Sequence, residues 1–226
     1  MLNNTNSSKK SALIIGILLS VLLPFLAIFF SLLFKKIGIS NEIQFYISRF
    51  AIWFSLLLLF FYSLKIEKQP FLLWKETEYS FSFFAKALFI TFLKLFIAVF
   101  ITGVLFILFK ITGESAVLNK ALALFKKSYF LLFFTCVTAG ITEELIFRGY
   151  LLPRLELLLK NKKLAVIISS IIFGFLHIGY GTLINVVGPI VIGLVFAVQY
   201  DKYRNIKILI MCHFLWDLLL LIAKTR

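Results

Sequence analysis

Residues 129–156 read YFLLFFTCVTAGITEELIFRGYLLPRLE, and this stretch decides the fold. It begins as an apolar run able to cross a membrane, and it then carries Glu143, Glu144 and Arg148. One charged side chain at the centre of a membrane helix costs about 2.5–3.5 kcal/mol on insertion scales. A segment that only anchors the chain would not carry three such groups. The stretch therefore indicates a membrane helix with a function of its own.

The composition of the whole chain is typical of a membrane protein. Of its 226 residues, 62% are hydrophobic, and the mean hydropathy is +1.02. Soluble domains contain about 45–50% apolar residues. The formal net charge is +14, but the basic residues lie mostly between apolar runs, as in positively charged membrane loops. We therefore expect no nucleic-acid partner.

Seven apolar runs are long enough, or nearly so, to cross about 30 Å of hydrocarbon. The runs are continuous and do not alternate with polar residues, which predicts helices and not a barrel. The predicted fold class is therefore all-α, a polytopic membrane bundle of about seven helices with a polar intramembrane cavity. The predicted spans are residues 12–34, 43–64, 87–109, 128–147, 164–178, 182–200 and 206–223.

We divide the chain into two regions, residues 1–127 and residues 128–226. The first supplies N-terminal transmembrane helices and two stretches, 69–84 and 115–127, that are either interfacial segments or ordinary loops. Lys and Arg number 14 on the side of the N-terminus and 8 on the other side, and the remaining two, Arg49 and Lys94, lie within spans. This bias places the N-terminus in the cytoplasm. The 19 Lys and 5 Arg are typical of an AT-rich genome and favour a bacterial cell membrane.

Helix geometry separates the two adjacent glutamates. Glu144 and Arg148 are four residues apart with the acid first, the favourable order for an ion pair, which predicts a buried structural pair. Glu143 points about 100° away and has only Phe147 four residues on. An unpaired carboxylate in partly apolar surroundings is suited to act as a general base and then as a general acid.

The chain has two histidines, and both lie in apolar runs. Asp217 follows His213 by four residues, so it can hold one tautomer of the imidazole, or the pair can join two helices. His177 has no polar neighbour four residues away, so we expect its partner to come from another span. All these ionisable groups should gather around one polar cavity, where they satisfy one another. They are Glu143, Glu144, Arg148, His177, His213 and Asp217.

The order and spacing of these residues resemble the CPBP family of intramembrane proteases, also called the CAAX-protease and bacteriocin-processing, or Abi, family. That family has two glutamates with an arginine four after the second, then Phe with His four on, then His with Asn or Asp four on. Here the motifs are EELIFR at 143–148, FGFLH at 173–177 and HFLWD at 213–217. The resemblance covers approximately residues 128–220, the helical core of the second region.

The resemblance implies an intramembrane endopeptidase whose helix-lined cavity opens to one membrane face. Glu143 and His177 would activate a water, and His213 and Asp217 would stabilise the oxyanion or order the groups that do. An ionised aspartate only accepts hydrogen bonds, whereas an asparagine in this position also donates. Asp217 would therefore be protonated, or it would act by orienting His213.

The ionisable residues allow a mechanism with or without a metal. Glu143, His177 and His213 form a His₂Glu set that is chemically adequate for a catalytic zinc with an open position. The sequence has no HExxH motif, and Glu144 with Arg148 already supplies charge balance. We therefore favour a mechanism without a metal cofactor, and zinc on these three residues is the alternative.

The expected partners are membrane lipid and a peptide or protein substrate. A bacterial origin favours bacteriocin or signal-peptide maturation over the processing of prenylated proteins. One alternative is a proton-coupled transporter, because buried Glu, His and Asp also form proton relays, but the spans show no internal repeat. Another is a non-catalytic bacteriocin immunity protein, against which the complete set of ionisable residues argues.

Overall fold

The structure, a computed structural model, describes residues 2–226, with the backbone alone for residues 2–8, 32 and 35. Within this range the chain forms helices and no strand. Seven helical stretches of the described residues are long and apolar enough to cross a membrane, so the predicted all-α membrane class is confirmed. These stretches are Lys9–Ser31, Asn41–Glu67, Phe81–Leu108, Tyr129–Leu159, Lys162–Tyr180, Ile184–Tyr203 and Ile206–Thr225.

The α-helices of the described residues are numbered here in chain order. They are α1 (Leu2–Leu22), α2 (Leu26–Lys36), α3 (Asn41–Tyr62), α4 (Phe81–Leu108), α5 (Ala116–Lys127), α6 (Tyr129–Thr138), α7 (Leu152–Leu159), α8 (Lys162–Phe175), α9 (Ile184–Tyr203) and α10 (Ile206–Thr225).

The first predicted span, residues 12–34, is interrupted. Helix α1 ends at Leu22, and a short 3₁₀ turn that contains Pro24 leads into α2. Proline lacks the N–H that would continue the helix and clashes with the preceding turn. The Ser55 hydroxyl donates to the Leu23 carbonyl over 2.8 Å, which satisfies an acceptor at this break.

The two stretches between spans differ from each other. Residues 116–127 form α5, whose first turn is capped by the Ser115 hydroxyl, and Ala121 and Phe125 are buried against the bundle. The stretch 69–84 becomes helical only at Phe81, where α4 begins, six residues before the predicted start of the third span at residue 87. The Ser80 side chain caps α4 by accepting from the Phe83 N–H.

Residues 68–80, named here the cap segment, cover the end of the bundle where α9 leads into α10. Glu76 accepts from the Tyr200 hydroxyl over 2.7 Å and from the Ile206 N–H over 2.6 Å. The Thr77 N–H donates to the Arg204 carbonyl over 2.6 Å. Helix α5 lies at the other end of the bundle, against the turn Ile178–Tyr180. Different parts of the first region therefore pack against the two ends of the bundle.

The fourth span is longer than the predicted 128–147 and is not a regular α-helix. Between α6 and α7 the chain forms a π-helix, Ala139–Leu151, with hydrogen bonds five residues apart. The Thr142 hydroxyl donates back to the Thr138 carbonyl over 2.7 Å and competes with the α-helical hydrogen bonds. π-Helical turns are rare and are frequent at functional sites. Here the π-helix carries the whole first motif.

The division at residue 127 stays a prediction, because helices from both regions pack together. Helix α1 lies against α7, and α4 lies against α9 and α10. The structure supports an integral, multi-pass membrane protein. The cytoplasmic N-terminus and the bacterial origin stay predictions.

Candidate active site

A buried ion pair forms the base of the site. Arg148 Nη1 donates to Glu144 Oε1 over 2.8 Å, and the two side chains are 1% and 0% exposed. This is the pair that the four-residue spacing predicts. The same Glu144 oxygen lies 2.8 Å from His213 Nδ1. Because a carboxylate oxygen accepts, His213 Nδ1 carries the proton in this contact.

Gly140 lets α10 approach the π-helix closely enough for the contact between Glu144 and His213. A Cβ atom at Gly140 would lie 3.0 Å from the Ile210 carbonyl oxygen and 3.1 Å from the Phe214 backbone nitrogen. Both of these atoms belong to α10, on either side of His213 along the chain. The absence of a side chain at Gly140 therefore brings the first and third motifs together.

Aromatic rings enclose the Arg148 guanidinium. It lies 4.3 Å from the centroid of Phe173 and 5.5 Å from that of Phe196. Such contacts stabilise a cation that is removed from water. A Cβ at Gly193 would lie 3.4 Å from Arg148 Nη2, so α9 also passes close to the guanidinium.

Phe173 joins the second and third motifs. Its ring centroid lies 5.1 Å from that of His177 and 6.4 Å from that of His213. It also lies 5.0 Å from the ring of Phe147 on the π-helix. The resemblance gives Phe173 a place in a motif, and in the structure its ring makes edge-type contacts with both histidine rings. Phe196, 5.5 Å from the His213 ring, has no motif around it and carries no signal in the sequence.

The His177 side chain forms a hydrogen bond with the end of its own helix. Helix α8 ends at Phe175, and the His177 backbone N–H donates to Gly174 over 3.0 Å. The Phe173 carbonyl accepts from His177 Nδ1 over 2.9 Å. The prediction of a partner from another span is therefore wrong, because the last carbonyls of a helix lack intrahelical donors. In the neutral imidazole, Nε2 is left as an acceptor.

Asp217 is farther from His213 than a hydrogen bond requires. Its Oδ2 lies 3.5 Å from His213 Nε2, and its side chain is 29% exposed. The hydrogen bond that fixes the His213 tautomer comes from Glu144. Asp217 therefore acts on the other ring nitrogen, on the accessible side of the imidazole.

Glu143 is half-buried and forms no hydrogen bond or ion pair within the described part of the chain. It lies within electrostatic range of Arg148, His213 and Asp217. His177 in turn lies within electrostatic range of Asp217. The six predicted residues thus divide into two layers. Glu144, Arg148 and His213 are buried, and Glu143, His177 and Asp217 are partly accessible.

The side-chain positions do not fit the zinc alternative. Among the described residues, no three His, Cys, Asp or Glu side chains lie close enough together to hold a metal ion. This includes Glu143, His177 and His213.

Fold and site together define a multi-pass membrane protein with carboxylates and histidines gathered inside the bundle. Residues 125–219 match the family model described as type II CAAX prenyl endopeptidase Rce1-like. This is the CPBP family, and the matched residues, fewer than half of the chain, contain all three motifs. At the level of the family the protein is a protease. No curated protein and no solved structure matches the chain.

Proposed function

We propose that this protein is an intramembrane endopeptidase in which Glu143 activates a water to hydrolyse a peptide bond of a membrane-associated peptide or protein. One observation carries the proposal. Glu143 is partly accessible and unpaired, while the adjacent Glu144 is fully buried and bonded to Arg148 and His213. Of two neighbouring carboxylates, one is free for proton transfer and the other holds the site together.

In the first half of the reaction, Glu143 takes a proton from the water as the water oxygen attacks the peptide carbonyl carbon. A positioned general base of this kind contributes about 10²–10⁴-fold to the rate. His177 Nε2 accepts the second hydrogen of the same water and orients its oxygen. The hydrogen bond from Nδ1 to the Phe173 carbonyl supports this role, because it leaves Nε2 as the acceptor.

In the second half, a tetrahedral intermediate carries the negative charge on the former carbonyl oxygen. Glu144 binds one nitrogen of His213, and Asp217 lies 3.5 Å from the other. Two donors can therefore stabilise this oxyanion: the Nε2–H of a protonated His213, or the O–H of a neutral Asp217. Glu143 then gives its proton to the amide nitrogen, the C–N bond breaks, and a carboxylic acid and an amine leave.

Activity should survive exhaustive chelation, since Glu143 and His177 activate the water with their own side chains. The measurement is the hydrolysis rate of purified protein before and after dialysis against a strong chelator, with total metal content determined in parallel. A loss of activity that added zinc restores would contradict the metal-free mechanism and assign Glu143, His177 and His213 to a metal.

The proposed function is tested by incubating the purified protein in lipid nanodiscs with a pool of synthetic membrane-associated peptides in isotopically labelled water. Mass spectrometry should find a new amino terminus and a new carboxyl terminus that carries labelled oxygen. Added hydroxylamine should capture no acyl-enzyme, because water attacks directly. Failure to cleave any peptide, together with proton-driven solute uptake in proteoliposomes, would favour the transporter and contradict the proposal.

A further inference from the structure

Arg49 lies within a membrane span, and none of the described acidic side chains pairs with its charge. It lies on α3, in the span Asn41–Glu67 and outside the part of the chain that matches the family. Its Nε donates to the Ser48 hydroxyl over 3.4 Å, and its guanidinium lies 4.8 Å from the Phe45 ring centroid. It forms no ion pair within the described residues. A guanidinium has about five N–H donors, so most of them are free.

The face of α3 that carries Arg49 is turned toward the catalytic span. Four residues after Arg49, Trp53 Nε1 donates to the Thr138 hydroxyl over 3.1 Å. Four residues before it, the Phe45 ring lies 5.4 Å from that of Phe125 on α5. Residues four apart lie on one face of a helix. Arg49 therefore lies between a contact with the residue that precedes the π-helix and a contact with α5.

Tyr180 connects Arg49 with the accessible side of the site. Its ring lies 6.0 Å from that of His177 at an interplanar angle of 17°. Tyr180 is also within electrostatic range of Arg49, Glu143 and Asp217. Arg49 and the two partly accessible carboxylates thus approach the same side chain, from opposite parts of the sequence.

We propose that Arg49 binds a carboxylate of the peptide substrate and thereby sets which peptides are cleaved. The inference rests on the endopeptidase function proposed above. An anionic substrate would meet Glu143 and Asp217, and the cation of Arg49, which approaches the same Tyr180 side chain, offsets this repulsion. Arginine suits a carboxylate because its planar N–H groups bind both oxygens at once. The carboxylate can be the carboxyl terminus of the peptide or an Asp or Glu side chain near the cleaved bond.

The test uses peptides that the wild-type protein cleaves, each made with a free carboxyl terminus, with a terminal amide, and with Asp or Glu replaced by Asn or Gln. Wild type should cleave one carboxylate form at least about tenfold faster in kcat/KM than its neutral counterpart, the effect of losing a hydrogen bond to a charged group. The pair of forms that shows the difference identifies the source of the carboxylate. Arg49→Gln should abolish the preference, and Arg49→Lys should keep part of it.

Lys94→Gln is the matched control. Lys94 also lies within a predicted span, but it is exposed on α4, and its removal should leave the preference unchanged. Equal cleavage of all forms by wild type, with Glu143→Gln inactive, would overturn the role of Arg49 and leave the proposed function standing.

If Arg49→Gln instead slowed all forms equally, and only in vesicles with anionic phosphatidylglycerol, Arg49 would contact lipid headgroups and not the substrate, which would also overturn the proposal. Cleavage of no peptide by wild type would overturn both proposals. Should Arg49→Gln fail to fold, Arg49→Lys decides, and an unreduced preference in that variant would contradict the bidentate contact.

Discussion

One oxygen of Glu144 holds two motifs together. It accepts from Arg148, four residues away on the same helix, and from His213, 69 residues away on α10. Breaking a buried ion pair by removing one partner leaves a charge without compensation and is strongly destabilising. Glu144 therefore contributes to the stability of the protein and to the position of an imidazole in the site.

Glu144→Ala and Arg148→Ala should each lower the free energy of unfolding by about 3–5 kcal/mol. Removing both charges at once should cost less than the sum of the two single changes, because neither partner is then left unpaired. The measurement is the unfolding equilibrium in detergent, with Glu42→Ala as an exposed control on α3. Additive effects would show that the two side chains do not act as a pair.

Asp217→Asn separates two roles of the aspartate. If Asp217 donates to an oxyanion as a neutral acid, Asn supplies an N–H, and the single-turnover rate should stay within about tenfold. The family has both residue types at this position, so we predict this mild result.

If Asp217 stabilises a protonated His213 over the 3.5 Å between them, the charge is needed. In serine proteases, the Asp→Asn change in the catalytic triad is a known example and lowers kcat by about 10⁴. A drop of a thousandfold or more with intact folding would assign Asp217 to His213.

For individual residues of the site, the sequence predicts the contacts that form within one helical turn. The spacing of Glu144 and Arg148 predicts their pair, and the angle between neighbouring residues leaves Glu143 unpaired. The contact of Glu144 with His213 joins two distant spans, and no spacing rule predicts which residues of two spans will meet. The partner of His177 depends on where α8 ends, because only a carbonyl at the helix end is free to accept from the ring.

The π-helix is the element that sequence reasoning misses. An apolar run predicts a helix but not its hydrogen-bonding pattern, and Ala139–Leu151 contains no proline that would mark an irregularity. The visible signs are Thr138 and Thr142, whose spacing lets a hydroxyl reach a backbone carbonyl, and Gly140, which faces α10. The fold class could be predicted from hydropathy alone, whereas this change of helix type depends on packing against α10.

Gly140→Ala should push α10 away from the π-helix and lengthen the contact between His213 and Glu144. Its Cβ would lie 3.0 Å from the Ile210 carbonyl oxygen, and overpacking of this kind costs about 1–3 kcal/mol. We expect Gly140→Ala to lower the thermal midpoint and also to lower the hydrolytic rate, because His213 is displaced from Glu144. Gly103→Ala on α4 is the control, because a Cβ there meets no atom within 4 Å. Equal effects at the two glycines would contradict the close approach of α10.

At the scale of the whole molecule, a second buried ion pair joins the first region to the second. Arg154 on α7 is 0% exposed, and its Nη2 lies 2.6 Å from Glu67 Oε2 at the end of the second span. The Arg154 guanidinium also donates to the Phe71 carbonyl of the cap segment over 3.0 Å and lies 3.5 Å from the centroid of the Tyr150 ring. Residues outside the family match therefore hold the helix that follows the π-helix.

Arg154→Ala should destabilise the protein by about 3–5 kcal/mol, because it leaves Glu67 unpaired and removes the tie to the cap segment. Lys162→Ala is the matched control, since Lys162 pairs with Asp201 at 3.1 Å on the surface, and exposed pairs contribute about 0–1 kcal/mol. Thermal midpoints in one detergent give the comparison. Similar shifts for the two variants would show that the first region is not held by this contact.

The positions of the membrane spans can be predicted from composition, but the residues at which the spans begin and end cannot. The apolar runs predict seven crossings within the described chain, but the break at Pro24, the early start of α4 and the extension of the fourth span to Leu159 depend on local contacts. The cap segment mixes charged and aromatic residues, and no periodicity predicts that Glu76 reaches Tyr200 and Ile206. Long-range hydrogen bonds of this kind arise only when the bundle assembles.

The most direct test of the account compares Glu143→Gln with Glu144→Gln in one experiment that measures single-turnover peptide hydrolysis and thermal unfolding on the same samples. The account predicts that Glu143→Gln loses about 10²–10⁴-fold in rate with an unchanged midpoint, because it removes a general base that forms no hydrogen bond or ion pair among the described residues. It predicts that Glu144→Gln lowers the midpoint, because Arg148 and His213 lose their shared carboxylate. Full activity of Glu143→Gln, with loss of activity but no loss of stability in Glu144→Gln, would contradict the assignment of the two glutamates.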